Sequence, residues 1–374
     1  MADLFIGLMS GTSLDGVDGV LVDFDDAAGL RVLAHRHRPF EPAWAEELLA
    51  LNTAGADELH RAALAGNAVA RRYAEVVADL LTASNIAPAD VTAIGAHGQT
   101  VRHRPQAVDG TGYTIQLGNP ALLAERTGIA VVADLRSRDV AAGGQGAPLV
   151  PAFHRAVFGR PDVSRGVLNL GGISNLTVLG SDGTTLGFDC GPGNALMDHW
   201  CRRHLGDAYD AGGRWAAGGT VDAALLAALR DEPYFTLPPP KSTGRDLFNP
   251  TWLASRLAAA TATTPLDARD VQATLAALTA STCADAVRLA PAAITELIVC
   301  GGGAFNTHLM ARLAADLPGV AVSASDAHGL PADQVEACAF AWLARRFVRR
   351  EAGNLPTVTG ARGPRLLGAL YPAA

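Results

Sequence analysis

Two stretches far apart in the chain repeat one pattern: an apolar run, a polar turn rich in glycine, and a second apolar run. The first covers residues 4–24 and turns through SGTSLDG, and the second covers residues 166–179 and turns through GGISN. Short apolar runs around such turns predict strands paired as hairpins, and a repeated unit predicts a duplicated architecture. We therefore expect an α/β fold of two domains, residues 1–150 and 151–374, with the terminal helix packing back on the first.

The composition argues against some classes of binding partner. The 374 residues carry a net charge of −7 and contain no basic run, which argues against nucleic acid and anionic membranes as partners. The N-terminal apolar run lacks a basic flank and is interrupted at Gly7 and Ser10, so we expect a cytoplasmic protein. Five widely spaced cysteines without a C-x-x-C pair favour buried reduced thiols. A small-molecule substrate is the expected partner.

Three further apolar runs end in polar or glycine-rich segments. The predicted strand 91–96 is followed by HGQT, and the predicted strand 296–300 is followed by Gly301-Gly302-Gly303 and a helix over 307–317. The run 185–189 ends in Asp189, before a glycine-proline-glycine turn and a helix that begins near Asn194. Because open α/β sheets bind ligands at the carboxyl ends of strands, these segments are candidate site elements.

Glycine turns at strand ends suit nucleotide phosphates, because several backbone N–H groups point to one place. The only lysine, Lys241, lies in the proline-rich segment LPPPKSTG, which predicts a surface loop and excludes a Walker A site. The tripeptides H-R-D and D-F-G of protein kinases are also absent. Two alternatives stay open: turn chemistry alone accounts for such glycines, and Gly301–Gly303 with Asp326 is a weaker match to a dinucleotide fingerprint.

Several long strings, in order along nearly the whole chain, resemble the anhydro-N-acetylmuramic acid kinase family: GLMSGTSLDGVDGVLVDF, HGQT, NLGGISNLT, GFDCGPGNALMD, CGGGAFN and DQVEACAFAWLA. The resemblance implies the two-domain actin-like or hexokinase-like ATPase fold, with ATP in the interdomain cleft. It also implies a reaction in which water opens the 1,6-anhydro ring of anhydro-N-acetylmuramic acid while the γ-phosphate of ATP passes to O6. The product, N-acetylmuramic acid 6-phosphate, serves peptidoglycan recycling.

The resemblance implies roles for particular residues. The expected ATP contacts come from the two hairpin turns and the later glycine junction: Gly11, Thr12, Ser13, Leu14, Asp15, Gly16, Val17, Asp18, Gly171, Gly172, Gly301, Gly302, Gly303 and Asn306. Asp15 and Asp18 are candidates to hold Mg²⁺, directly or through water, since this cation prefers carboxylates and keeps several waters. Asp18 could equally cap a turn at a strand end.

Asp189 matches the catalytic aspartate of the family, and the chemistry needs one base to deprotonate the attacking water. The alternative role for Asp189 is to cap the following helix.

The expected sugar contacts are His97, Thr100, Arg136, Arg138 and Glu336. An arginine could hold the lactyl carboxylate of the sugar through two hydrogen bonds. The competing interpretations are surface ion pairs for the arginines, a buried structural histidine, and a first-turn acid favoured by the helix dipole for Glu336.

Rival functions remain at this stage. Another sugar kinase or a phosphohydrolase of the same fold would differ in the mass of its product. An actin-like or chaperone-like nucleotide switch would polymerise or bind peptides with slow loss of ATP, and an oxidoreductase would be stabilised by NAD. A homodimer is one possible assembly, which the sequence does not fix.

Overall fold

The computed structural model describes residues 3–11, 13–25, 29–239, 241–244, 246–260 and 266–373. The chain packs as two compact units, the first formed by Met1–Val157 with Gln334–Ala374 and the second by Phe158–Asp333. The sequence analysis set one boundary after residue 150. In the structure the boundaries fall after Val157 and after Asp333, and the last helix belongs to the first unit.

The described residues form strands and helices throughout both units. The strands are β1 Leu4–Met9, β2 Gly16–Asp25, β3 Gly29–Pro39, β4 Ala93–Ala96, β5 Gln99–Pro105, β6 Gly112–Leu117, β7 Val131–Ala133, β8 Arg165–Leu170, β9 Ile173–Leu179, β10 Thr185–Pro192, β11 Glu296–Cys300, β12 Ala321–Ala324 and β13 Ala369–Tyr371. The helices are α1 Pro42–Ala50, α2 Glu58–Ser84, α3 Pro120–Thr127, α4 Ser137–Ala141, α5 Val150–Phe158, α6 Ala195–Leu205, α7 Arg214–Ala217, α8 Ala223–Arg230, α9 Pro250–Ala260, α10 Ala268–Arg288, α11 Thr307–Asp316, α12 Val335–Val348 and α13 Pro356–Thr359.

The main sheets of the two units have the same strand order, except for one added strand. Starting from the hairpins, the order is β3-β2-β1-β4-β7 in the first unit and β10-β9-β8-β11-β12 in the second. Strand β13 extends the first sheet beyond β7. In each unit an antiparallel pair of hairpins (β1-β2-β3, β8-β9-β10) is extended by two parallel strands (β4 and β7, β11 and β12). The predicted repeat of a glycine-turned hairpin is therefore confirmed.

Helix α12 packs so closely against β1 and β4 that the strand residues facing its main chain, Gly7 and Gly95, can only be glycine. A Cβ on Gly7 would lie 1.9 Å from the carbonyl oxygen of Ala337, and a Cβ on Gly95 would lie 2.0 Å from that of Phe340. Both neighbours are main-chain atoms of the helix, so they cannot move independently of it. This close approach fixes the start of α12, where Glu336 lies, relative to the sheet of the first unit.

Each unit has its own hydrophobic core. In the first unit, the apolar face of α2 (Val69, Tyr73, Val76, Leu80) packs against buried side chains of β1 and β2. In the second unit, α10 is buried over most of its length, and Asp267 caps its start by accepting a hydrogen bond from the Arg269 amide at 2.8 Å.

The structure departs from the predicted elements at two places in the first unit. Strand β3 follows β2, where the sequence analysis assigned no element; it is a half-exposed edge strand, and its basic residues obscure the apolar alternation. The segment HGQT follows the end of β4 at Ala96, but its last two residues begin β5 at Gln99, where the sequence analysis assigned no element.

Two other expectations are confirmed. The five cysteines are buried free thiols. The described part of the segment 237–244 contains no helix or strand.

Among the helices described, none has the length and apolar character needed to cross a membrane.

Candidate active site

The first hairpin turn leaves main-chain amides available. Among the described residues, neither the Gly11 amide nor the Ser13 amide donates a hydrogen bond to another part of the chain. Leu14 has a φ of 58°, a left-handed conformation that is uncommon outside glycine and bends the chain sharply. Thr12, an expected phosphate contact, lies outside the described residues. The turn therefore offers donors in the arrangement expected of an anion site.

Gly16 and Val17 lie within β2. Val17 is fully buried in the core, and a Cβ on Gly16 would lie 2.3 Å from the carbonyl oxygen of Arg38 on β3. The close packing at Gly16 is thus against a neighbouring strand, while the turn itself ends at Asp15.

The two candidate metal ligands have different surroundings. Asp15 is exposed, and one of its oxygens accepts a hydrogen bond from the Ser13 hydroxyl at 2.8 Å. Asp18 accepts hydrogen bonds on Oδ1 from His35 Nε2 at 3.2 Å and His37 Nδ1 at 3.0 Å. Burial raises the pKa of Asp18, but the two histidines lower that pKa by more, so Asp18 is ionised.

His97 is buried and links the turn to Arg136. Its Nδ1 lies 3.1 Å from the Ser10 carbonyl oxygen, and its Nε2 lies 2.9 Å from Arg136 Nη2. Because a guanidinium only donates, Nε2 must accept, and Nδ1 carries the proton that it donates to Ser10. Burial lowers the pKa of His97 to about 3. The ring is therefore a neutral connector of fixed tautomer.

Arg136 carries a positive charge beside neutral acceptors. Its other contact is the Gly146 carbonyl oxygen, 2.8 Å from Nη1, and within the described residues no carboxylate forms an ion pair with it. Burial lowers the pKa of Arg136 to about 10, still far above neutral pH. Burial and the charge of Asp18 raise the pKa of Glu336, while the charge of Arg136 lowers it by less. The first unit thus brings His97, Arg136 and Glu336 into one electrostatic group.

Two predicted sugar contacts make no hydrogen bond to this group within the described residues. Arg138 is exposed on α4, and no hydrogen bond in the described part of the chain joins it to His97 or Arg136. Thr100, on β5, accepts a hydrogen bond from Gln116 Nε2 at 3.2 Å.

A cavity of about 320 Å³ lies beside His97 in the first unit. The polar residues among those that line it include Gln116, Asn119, Asp134 and Ser137. The sequence analysis named none of these four as site residues. Asp134 and Ser137 lie in the segment from which it chose Arg136 and Arg138, while Gln116 and Asn119 lie apart from every motif that it used.

The second hairpin turn, like the first, has main-chain amides that donate no hydrogen bond within the described residues. The carbonyl oxygens of Gly171 and Gly172 accept hydrogen bonds from the Asn194 and Gly193 amides at 2.8 and 3.0 Å, so this turn closes the start of α6. Within the described residues the amides of Gly171 and Gly172 have no intramolecular acceptor.

The glycine junction after β11 lies beside this turn. A Cβ on Gly301 would lie 2.3 Å from Asn169 Oδ1, and a Cβ on Gly303 would lie 2.5 Å from the Leu170 Cβ. Gly302 has open space on its Cβ side. The second unit therefore places the glycine junction against the end of β8, the strand that leads into its hairpin turn. Asn306 caps α11 by accepting a hydrogen bond from the Leu309 amide at 3.0 Å.

Asp189 lies on β10, immediately before a β-bulge at Cys190. Its Oδ2 accepts hydrogen bonds from the Ser242 hydroxyl at 3.0 Å and the Thr243 amide at 2.9 Å. No hydrogen bond from the described residues reaches Oδ1. Burial raises the pKa of Asp189, and the bonds from Thr243 and Ser242 lower it by less. Asp189 is thus a half-buried carboxylate of raised basicity, and the described residues leave one of its oxygens unbonded.

Comparison with known proteins identifies the family. The family model described as anhydro-N-acetylmuramic acid kinase matches residues 3–373. The chain belongs to the anhydro-N-acetylmuramic acid kinase family. Two curated proteins of that name are similar over nearly full length: one from Albidiferax ferrireducens, 61% identical over 100% of both chains, and one from Variovorax paradoxus, 62% identical over 99% of both.

A solved structure supports the fold of this anhydro-N-acetylmuramic acid kinase family member. The activator of the 2-hydroxyisocaproyl-CoA dehydratase from Clostridium difficile, with bound ADPNP, aligns with a TM-score of 0.50 at 12% identity, covering 93% of this chain and 96% of that one. The chain has a two-domain α/β fold similar to that of the activator, and each of its two units contains one mixed sheet.

Proposed function

We propose that this chain uses ATP to open the 1,6-anhydro ring of 1,6-anhydro-N-acetylmuramic acid with water and to phosphorylate O6. The product, N-acetylmuramic acid 6-phosphate, would enter peptidoglycan recycling. The observation that carries the proposal is the Asp189 carboxylate, which is held through Oδ2 and whose Oδ1 accepts no hydrogen bond from the described residues. The family match over residues 3–373 indicates the reaction, and we assign the role of general base in that reaction to Asp189.

In the proposed reaction Asp189 acts as the general base. It takes a proton from a water molecule whose oxygen forms a bond to C1 of the sugar, while the bond between C1 and the bridging oxygen breaks. That oxygen remains on C6 and forms a bond to the γ-phosphorus of ATP as ADP leaves. The bridging oxygen carries no proton, so no second base is needed. A positioned base of this kind contributes about 10²- to 10⁴-fold to the rate.

The free amides of the two hairpin turns suit the phosphates of ATP. Gly11 and Ser13 in one unit, and Gly171 and Gly172 in the other, offer donors that the described chain does not use. Gly301–Gly303 lie against the end of β8, beside the second of these turns. Because glycine has no side chain, a ribose or purine could approach their main chain closely.

Magnesium fits the residues present without a dedicated cage. Within the described residues no group of three or more histidine, cysteine or acidic side chains could hold a metal ion. Mg²⁺ instead uses one or two carboxylates together with phosphates and water. Asp15, exposed in the turn, and Asp18, through Oδ2, would hold it, and the ion would offset charge on the phosphates.

Arg136 is the proposed partner of the lactyl carboxylate. Its guanidinium is half-buried, fixed by His97 and Gly146, and lacks an acidic ion-pair partner in the described chain. Glu336 and Thr100 are proposed to bind sugar hydroxyls from the same unit. His97, whose two ring nitrogens bond Ser10 and Arg136, is proposed to act on the sugar by orienting Arg136. Arg138 is proposed as a more peripheral sugar contact. The sugar substrate, a cytoplasmic location and a homodimer complete the proposal, and sedimentation tests the assembly.

The variant D189N tests the assignment of the base. It removes the charge while keeping the shape and the acceptor for Ser242 and Thr243, so we expect sugar phosphorylation to fall by at least 10³-fold with ATP binding retained. The exposed Asp207 of the same unit supplies the matched control D207N, which should keep wild-type activity. Sugar turnover by D189N at a near wild-type rate contradicts the proposal.

A further inference from the structure

The main chain of Asp189 is bonded on its outer side by a segment remote in sequence. β10 is the edge strand of its sheet, so its outer amides and carbonyls have no neighbouring strand. The Asp189 amide donates to the Lys241 carbonyl oxygen at 3.0 Å, and the Tyr234 hydroxyl donates to the Asp189 carbonyl oxygen at 2.8 Å. The segment from Tyr234 to Thr243 therefore covers the edge at this one residue.

The same segment also fixes the side chain. The Ser242 hydroxyl and the Thr243 main-chain amide both donate hydrogen bonds to Asp189 Oδ2. Two donors on one oxygen define the rotation of the carboxylate plane and leave Oδ1 as the oxygen available to a water molecule. We call residues Lys241–Thr243 the Asp189 clamp.

Lys241 anchors the clamp. Its Nζ donates to the carbonyl oxygens of Tyr234 at 3.2 Å and Phe235 at 3.1 Å, and it lies 4.8 Å from the centre of the Tyr234 ring. These carbonyls belong to the short 3-10 helix Pro233–Thr236, whose Tyr234 also bonds the main chain of Asp189. The single lysine of the protein thus joins both parts of the segment that holds Asp189.

Among the described residues, titratable groups face the clamp from three neighbouring elements. Tyr234 faces it from the 3-10 helix, Cys190 from β10, and Cys283 and Asp285 from α10, while Lys241 belongs to the clamp itself. Burial raises the pKa of Tyr234, and a hydrogen bond with Cys283 and burial raise the pKa of Cys190, so both are neutral at physiological pH. Burial lowers the pKa of Lys241. Asp189 is the carboxyl group that the clamp itself bonds, through Ser242 and Thr243.

We propose that the Asp189 clamp is a positioning device for the base: Ser242 and Thr243 hold Oδ2 and stabilise the ionised carboxylate, and Lys241 holds the clamp in place. This inference rests on the proposed function, in which Asp189 is the base. Lys241 and Ser242 are positioning residues, since they act through Asp189.

The variant S242A tests the role of the hydroxyl. Losing one donor disfavours the charged carboxylate, so Asp189 should stay protonated to a higher pH. We expect kcat/KM for the sugar to fall about threefold to tenfold on the acid limb of its pH profile, and to stay within about twofold of wild type on the alkaline side. S242T, which keeps the hydroxyl, should restore the wild-type profile.

The matched control is S255A. Ser255 is an exposed serine of the same unit whose hydroxyl donates to the Trp252 carbonyl oxygen within α9. Its profile should equal that of the wild type. A purely structural role for Ser242 would lower the rate equally at every pH, and that result, or an unchanged profile, overturns the proposal.

Lys241 is tested by comparing K241M with K241R. Arginine can donate to the two carbonyls and methionine cannot, so K241R should keep most of the activity, while K241M should move the acid limb in the direction of S242A. The double variant K241M/S242A should show little further shift, because both changes disable one clamp. If the acid-limb shift of the double variant equals the sum of the two single shifts, Lys241 and Ser242 act independently, which would contradict a shared role in the clamp. If D189N keeps its turnover, the proposed function itself fails; if D189N is inactive but the S242A profile is unmoved, only the clamp fails.

Discussion

Replacing Gly7 with alanine should force α12 away from the sheet of the first unit. The new Cβ would lie 1.9 Å from the carbonyl oxygen of Ala337, 2.7 Å from the amide nitrogen of Ala341 and 2.9 Å from the carbonyl carbon of Ala337. All three are main-chain atoms of one helix, so no side-chain rotation relieves the overlap. The helix must retreat by at least about 1 Å before the shortest contact becomes tolerable.

The cost follows from what the helix covers. Residues Ala337–Ala344 of α12 are buried, so a shift of this size loosens packing along the whole contact with β1 and β4. Overpacking in a core costs about 1–3 kcal/mol, and a main-chain overlap belongs at the upper end, about 3 kcal/mol. For a unit of this size that lowers the Tm by roughly 6–12 °C.

Calorimetry and urea unfolding of the wild type, G7A and the control G55A measure the effect. A Cβ on Gly55 meets only Arg61 Nη1, at 3.5 Å, so G55A should change stability by less than about 0.5 kcal/mol. G7A should also raise the KM for the sugar, because Glu336 precedes Ala337 on the displaced helix. A Tm of G7A equal to that of G55A would refute the close approach.

Two further outcomes follow from buried groups of the first unit. The carboxylate of Asp139 is fully buried and accepts hydrogen bonds from the Gly146 amide, Asn354 Nδ2 and Thr359 Oγ1, so D139A should lower the free energy of unfolding by about 3–5 kcal/mol in urea; a loss below about 1 kcal/mol contradicts this role. R136M should raise the KM for the sugar about 10- to 100-fold and leave the KM for ATP unchanged; equal changes in both would count against a carboxylate contact.

The hairpins and glycine junctions were predictable because a glycine-rich turn between two short apolar runs is characteristic of paired strands. Strand β3 was not, because the alternation in its edge sequence is masked by histidine and arginine. The β5-β6 pair was missed because β5 carries mostly polar and basic residues, and because β6 exposes its apolar Tyr113 and Ile115 while Thr114 and Gln116 are half-buried.

Contacts between remote segments set the limit of the sequence analysis of the site. Asp189 could be singled out at a strand end, but nothing in KSTG shows that Ser242 and Thr243 return to its carboxylate. Arg136 and Arg138 looked equivalent in sequence; burial and the bond to His97 distinguish Arg136. The place of Gly16 against β3 likewise required the register of a strand that the sequence did not reveal.

Product analysis in ¹⁸O-enriched water tests the central claim most directly. The protein is incubated briefly with ATP, Mg²⁺ and 1,6-anhydro-N-acetylmuramic acid, and ADP and the sugar mass are followed together. Unlabelled product placed in the same water corrects for exchange at the anomeric hydroxyl. The account predicts one phosphate and one ¹⁸O gained per sugar, in step with ADP, with the label on C1 and none on phosphorus. A phosphorylated sugar without the label, or ADP with no sugar product, would contradict it.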